Sequence, residues 1–235
     1  MTEAVIHRLT QVSSTLDVLH EFAGRGAPHG TVVVAEEQVQ GRGTRGRTWQ
    51  SPPGGLWFSI LYRNIEEMAI ECLSIRIGLA VANVVESVAP SLRVGLKWPN
   101  DLMLDDRKLG GILCEARWRG TVLDWIVVGL GLNVANVIPA DLADRAMSLE
   151  TRVPSLSPGQ LVLPLTASLR SLALDHVQLS VAEFSSLSGR DWLQGRVIRE
   201  PVEGIARGIQ VDGSLLVEEP GGNVAVIKAG RVLLD

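Results

Sequence analysis

The sequence predicts an α/β protein, α+β in organisation, with a mixed β-sheet, helices packed on it, and a small β unit at the C-terminal end. Three observations lead there. Apolar, β-branched runs bounded by glycine or proline recur from residue 31 to residue 134. Apolar residues keep helical spacing across 66–89. From about Gly189 onward, short runs are separated by Glu203-Gly204, Asp212-Gly213 and Gly221-Gly222-Asn223, with no helical stretch between them. That change of pattern divides the chain into a main domain over 1–187 and a small β-barrel over 188–235. A chain of 235 residues suffices for one core with a small appended domain.

Each element follows from a local signal. Residues 13–23 read as a short helix, because Ser14 and Asp17 resemble a capping box and Gly24 and Gly26 end the element. TVVVAE at 31–36 reads as a buried strand after Gly30. A glycine- and arginine-rich stretch follows, and then Pro52-Pro53-Gly54-Gly55, which exclude helix and central strand. LWFSILY at 56–62 is the next strand. The helix predicted over 66–89 carries Ala69, Leu73, Ala80, Val81, Val84 and Val88 on its apolar side, and Pro90 stops it. Strands return with LRVGLKW at 92–98, an arm to Leu104, a turn at Asp105-Asp106, LGGILCEARW from 109, and TVLDWIVVGLGLNV to 134. One long helix is expected near 159–185.

Composition narrows the function classes. Apolar residues make up 46% and charged residues 20%, a globular balance. The net charge of −4 lacks the basic excess of a general nucleic-acid or membrane surface. A local patch remains, since Gln38 to Ile65 contains four arginines and no carboxylate. Cys72 and Cys114 have no metal-ligand spacing and read as buried free thiols, which fits a reducing compartment. MTEAVIHRLT lacks the basic and apolar regions of a signal peptide, and no stretch reaches the roughly 18 apolar residues of a membrane span. A cytoplasmic location is expected.

Two segments carry the chemistry. GRGTRGRTW at 41–49 places three arginines among glycines. KWPNDLMLDDRKLGG at 97–111 holds two of the three lysines, Lys97 and Lys108. Gly41, Gly43 and Gly46 satisfy a GxGxxG spacing, but a dinucleotide fold needs a helix directly after the loop, and Trp49 to Gly55 breaks any helix. The stretch reads instead as a mobile loop that closes over a ligand. Its glycines allow close backbone approach, Arg42, Arg45 and Arg47 offer forked donors to carboxylate or phosphate, and Trp49 offers a face for a flat ring. The alternative is a solvated turn. Lys108 lies between a tight turn and Gly110-Gly111, where a ligand can approach backbone. Its alternative is a surface lysine on an ordinary hairpin, and for Lys97 and Asp101 it is a structural ion pair.

SSTLD at 13–17, AEEQ at 35–38, GRGTRGRTW, KWPNDLML and RKLGGIL within 97–113, and GLGLNV at 129–134 occur in order. GIQVDGSLLV at 208–217 and AGRVLL at 229–234 continue the series. In these segments, over nearly its whole length, the chain resembles the biotin–protein ligase family. The resemblance implies a class II synthetase-like catalytic core with a C-terminal SH3-like barrel. It also implies a two-step reaction, in which biotin and ATP with Mg²⁺ give biotinyl-AMP, and a lysine of a biotin carboxyl carrier protein domain of acetyl-CoA carboxylase or a related carboxylase then takes the biotin.

Carried onto this sequence, the catalytic residues are Lys108, Arg42 and Asp101. Biotin would be held by Ser14, Thr15, Gln38, Arg42, Gly43, Thr44, Lys108, Gly110 and Gly111, although Ser14 could also serve only as a helix cap. ATP would meet Arg45, Arg47, Trp49, Lys97 and Asn133. No side-chain metal site is assigned. The family commonly carries arginine where Thr44 stands, so either Arg45 substitutes for it or the adenylate is held less firmly. The first motif begins at Ser13, which leaves no room for a helix-turn-helix domain, so no DNA binding is expected; a homodimer is left open. Two alternatives stand beside this reading. One is a lipoate ligase or octanoyltransferase on the same core. The other is an RNA-binding module using the arginine–glycine tract, against which the acidic composition counts.

Overall fold

The computed structural model describes residues 5–65 and 70–234. A seven-stranded sheet forms the frame, in the order β1 (Ile6–Val12), β2 (Val32–Gln38), β3 (Leu56–Tyr62), β7 (Val122–Leu132), β6 (Arg107–Arg119), β5 (Asp101–Leu104), β4 (Gly95–Lys97). β1 and β2 run parallel and every other neighbour is antiparallel, so the sheet is mixed as expected.

Helix α1 (Thr15–Gly24) covers one face, packing Leu16, Leu19 and Ala23 on Val33, Leu61 and Val127. Helices α2 (Leu73–Val88) and α3 (Pro158–Arg170) cover the other, where Val32, Ile60, Tyr62, Ile126 and Val128 join the main core, and α4 (Val181–Ser188) packs against α2. Successive strand residues serve opposite faces, and β3, central and buried along its whole length, is apolar throughout. The Tyr62 hydroxyl donates to the Leu169 carbonyl at 2.9 Å, tying α3 to the sheet. No helix among the described residues is long and apolar enough to cross a membrane. Cys72 and Cys114 are free thiols, the first buried and the second half-buried.

Several elements depart from the sequence reading. β1 had not been assigned. The strand expected over 92–98 is confined to Gly95–Lys97, because the Val94 amide donates to the Glu86 carboxylate at 2.8 Å and leaves the ladder. The helix expected from 66 begins at Leu73, while 66–69, including Ala69, lie outside the described residues. The single helix expected near 159–185 is two helices, α3 and α4.

Arg76 supplies the reason for that break. Its buried guanidinium takes the carbonyls of His176 (2.8 Å) and Gln178 (2.5 Å) and the Glu183 carboxylate (3.1 Å), which holds the connection across α2 as non-helical chain. Ser180 then starts α4 with a capping box to Glu183.

The last strands are β8 (Val197–Glu200), β9 (Gly204–Ile209), β10 (Leu215–Glu218), β11 (Val224–Ile227) and β12 (Leu233–Leu234). They form an antiparallel sheet in the order β11-β10-β9-β8-β12, open at β11 and β12 rather than closed on itself. It docks on the β4–β5 hairpin. The Leu96 amide meets the Arg190 carbonyl at 2.7 Å, and the Trp98 indole donates to Gly213 at 2.9 Å.

Candidate active site

A cavity of about 380 Å³ opens on the α1 face of the sheet. Its floor is a consequence of period-two alternation. Gly129, Gly131 and Asn133 share one face of β7, and Gly131 lies beside Gly111 of β6, which lies beside Asp101 of β5. Two glycines in that row leave the sheet bare, and Trp49 lies down on it. A Cβ on Gly131 would come within 2.5 Å of the Trp49 indole nitrogen.

One end of the cavity is neutral and hydrogen-bonding. Ser14 and Thr15, both buried, stand at the start of α1, where the Ser14 hydroxyl also accepts the Leu16 amide. The Gln38 side-chain carbonyl accepts from the Thr15 amide (2.9 Å), the Thr15 hydroxyl (3.1 Å) and the Ser14 hydroxyl (3.4 Å). Its amide donates to Ser51 at 2.7 Å, and the hydroxyls of Thr15 and Ser59 lie 2.7 Å apart. These bonds fix the orientation of the Gln38 amide.

The middle is charged. Lys108 Nζ lies 2.6 Å from Asp101 Oδ1 and 5.0 Å above the Trp49 ring. The Lys108 backbone is pinned on both sides, its amide to the Arg145 carbonyl and its carbonyl to the Met147 amide. At the far end the loop 135–146 contributes Val137, Ile138, Pro139 and Leu142, together with Arg145. Asn133 is buried there and accepts from Asn136 at 3.1 Å.

The arginine–glycine stretch folds as a small hairpin over this cavity. The Trp49 amide donates to Gly41 at 2.8 Å and the Gly43 amide to Arg47 at 2.7 Å. A Cβ on Gly41 would lie 2.3 Å from the Trp49 carbonyl, so only glycine lets the two arms meet. A 3-10 turn at Thr44–Gly46 forms the tip, where Arg47 donates to the Thr44 hydroxyl at 3.1 Å.

Of the residues singled out from sequence, Ser14, Thr15, Gln38, Arg42, Gly43, Thr44, Arg47, Trp49, Asp101, Lys108, Gly111 and Asn133 all line the cavity. Three stand apart from it. Arg45 is exposed at the tip with a left-handed backbone (φ 60°). Lys97 lies 5.4 Å over the Trp192 ring, and burial pushes its ammonium below the ordinary lysine range. Gly110 faces the Gly131 carbonyl and the side chains of Leu102 and Leu132, so it serves strand packing.

Arg42 reaches the cavity wall already paired, with Asp17 of α1 and Glu115 of β6. The His20 hydrogen bond, and after it those from Arg42, hold the Glu115 carboxyl at about 2, well below the carboxylate range. Glu115, Ser59, Asn136 and Arg145 were not picked out from the sequence. A signal existed for Glu115, a lone carboxylate in the apolar run of β6 and on the same strand face as Gly111.

A profile of the Biotin/lipoate A/B protein ligase family matches residues 9–133, more than half of the chain. The chain belongs to that family. It is 29% identical over 235 residues to the biotin–[acetyl-CoA-carboxylase] ligase of Mycobacterium tuberculosis, covering 94% of this chain and 85% of that one. It is 36% identical over 143 residues to the bifunctional ligase/repressor BirA of Bacillus spizizenii, covering 59% of this chain. The match spans 44% of that relative's length. Among solved structures, the biotin protein ligase of Aquifex aeolicus in complex with biotin and ATP superposes with a TM-score of 0.81 at 25% identity, covering 98% of both chains.

Proposed function

We propose that this member of the family activates biotin with ATP and transfers it to a lysine of a carboxylase carrier domain. The observation that supports it best is the composition of one cavity. A neutral hydrogen-bonding end, built from Ser14, Thr15 and Gln38, leads directly to a lysine seated on an indole face. A ureido ring is neutral and needs donors and acceptors fixed in advance, which the Gln38 network supplies. The valeryl carboxylate would then point at Lys108.

In the first step an oxygen of the biotin carboxylate attacks the α-phosphorus of ATP, the bond to the pyrophosphate oxygen breaks, and pyrophosphate leaves. Two anions must meet, and Lys108 is placed to offset their repulsion once its bond to Asp101 loosens. Arg47 and Arg145 add positive charge on the phosphate side, Trp49 offers its face to adenine, and Asn133 and Asn136 offer polar contacts to the nucleotide. In the second step the carrier amine attacks the biotinyl carbonyl, the bond to AMP breaks, and the amine gives up a proton. Asp101 is the carboxylate lining the cavity that can take it.

Magnesium fits as a passenger of the triphosphate. Among the described residues no group of three or more His, Cys, Asp or Glu could hold a metal, and this ion is commonly held by phosphates with one or two carboxylates. Bound there, it would neutralise phosphate charge, and Asp101, which lines the cavity, is a carboxylate that could help to hold it. In the same reading residues 1–187 form the catalytic domain and 188–235 an SH3-like unit, a barrel left open between β11 and β12, supported by the antiparallel succession β8 to β11 and the return of β12 to β8.

Pyrophosphate release by the purified protein, with ATP and either biotin or lipoate, tests the proposal. Release with biotin, followed by labelling of a carrier domain, supports it. Release with lipoate alone favours acyl transfer of the other branch of the family, and no release with either acid refutes both.

A further inference from the structure

Arg42 is the ion-paired tether of the hairpin, and its partner Glu115 is itself held from behind. Arg42 Nη2 reaches the two Glu115 oxygens at 3.0 and 3.2 Å, and Nε reaches Oε1 at 3.3 Å. Nη1 bonds Asp17. On its other side Glu115 Oε2 lies 3.0 Å from His20 Nε2, and His20 Nδ1 lies 3.0 Å from the Trp125 indole nitrogen. An indole N–H can only donate. His20 Nδ1 is therefore the acceptor, its hydrogen sits on Nε2, and that hydrogen points at Glu115. Every bond in the series has one direction, from Trp125 to His20 to Glu115, with Arg42 donating from the opposite side.

Glu115 is absent from the cavity lining, whereas Arg42 belongs to it. Charge points the same way. While Arg42 is shared by two carboxylates its charge is more than compensated locally, so it cannot act as a net counter-charge for substrate anions. We propose that Glu115 is a positioning residue, which through Arg42 holds the 41–49 hairpin over the cavity while touching no ligand. The activity arm of the test rests on the biotin-activating reading above; the proteolysis arm does not.

The test uses the full chain as wild type, Glu115→Gln, Arg42→Ala and the double variant. Without ligand, protease cleavage between residues 42 and 48 should rise roughly tenfold in each single variant and no further in the double. In kcat/KM for biotin-dependent pyrophosphate release, each single change should cost about tenfold or more, and the two losses should not multiply, since both break one contact. A purely structural glutamate would give multiplying losses and unchanged cleavage, and either result overturns the proposal. If the wild type releases no pyrophosphate, the biotin-activating reading fails while cleavage still decides the tether. If Glu115→Gln does not fold, Arg42→Lys replaces it. Lysine loses the fork, and cleavage at the wild-type rate would overturn the tether.

Discussion

Under the proposed biotin-activating function, Lys108→Ala should abolish most of the adenylation and leave the fold intact. The ammonium is part of a half-exposed pair, with the Lys108 side chain 29% and that of Asp101 25% accessible. Such pairs contribute at most about 1 kcal/mol to stability. The lysine backbone bonds to residues 145 and 147 do not depend on its side chain, so the thermal midpoint should move by no more than a few degrees. Activity has two larger losses. The donor facing the reacting anions disappears, which commonly costs about 3 kcal/mol, or roughly a hundredfold. Asp101 is also left unpaired, 2.6 Å from where the ammonium had been, and its free charge now repels carboxylate and phosphate. The total should therefore exceed a hundredfold in kcat/KM for biotin-dependent pyrophosphate release. The companion variant Asp101→Asn/Lys108→Ala should recover roughly tenfold of that by removing the repulsion, a like-charge term of about 1.4 kcal/mol. Pyrophosphate release by Lys108→Ala within a few-fold of wild type would refute the assignment. A double variant no better than the single would refute the repulsion argument alone.

Three further outcomes follow from the same geometry. Gly131→Ala would put a Cβ 2.5 Å from the Trp49 indole nitrogen; if the ring stacks on adenine, worth about 1–3 kcal/mol, KM for ATP should rise roughly tenfold with biotin affinity unchanged, and unchanged KM values would exclude the stack. Glu115 has its folded carboxyl lowered from 4.5 to about 2, so its stabilising contribution is complete above pH 4.5 and is lost as pH falls through about 2. The stability difference between wild type and Glu115→Gln, followed by urea denaturation, should accordingly be constant above pH 5 and shrink below 4.5; a difference that persists unchanged to pH 2 contradicts this. Thr44 accepts from Arg47 and lines the cavity, while Arg45 is exposed and outside it. Thr44→Arg should consequently slow release of labelled biotinyl-AMP by about tenfold, the worth of one charge-assisted hydrogen bond, with Arg45→Ala without effect; a slower or faster release in Arg45→Ala would place that arginine on the intermediate.

What the sequence revealed, and what it hid, divides along the range of the interactions. β3 and α2 were legible because a central strand buried on both faces is apolar at every position, and a core-facing helix repeats its apolar side chains at helical spacing. The two glycines of GLGLNV and the one at 111 were legible as a motif, although their physical sense, a bare sheet on which Trp49 can lie, needs the pairing of β6 with β7. The break between α3 and α4 was hidden because its cause is Arg76, a hundred residues before the His176 carbonyl it captures.

The site shows the same division in its charges. Read along the chain, Arg42, Arg45 and Arg47 form one cationic cluster within a segment free of carboxylates. In space they are three different objects. Arg42 is neutralised by Asp17 and Glu115, Arg45 faces solvent, and Arg47 holds the tip of its own hairpin through Thr44. Asp17 is legible in the sequence only as the partner of a helix cap, which implies no contact with the loop, and Glu115 is not among the residues singled out from the sequence. A cluster of like charges in sequence therefore fixes where anions can be met but not which cation meets them. That choice is made by carboxylates that the fold brings in from 25 and 73 residues away: they occupy Arg42, while Lys108 stays in the cavity beside Asp101, the carboxylate it is paired with there.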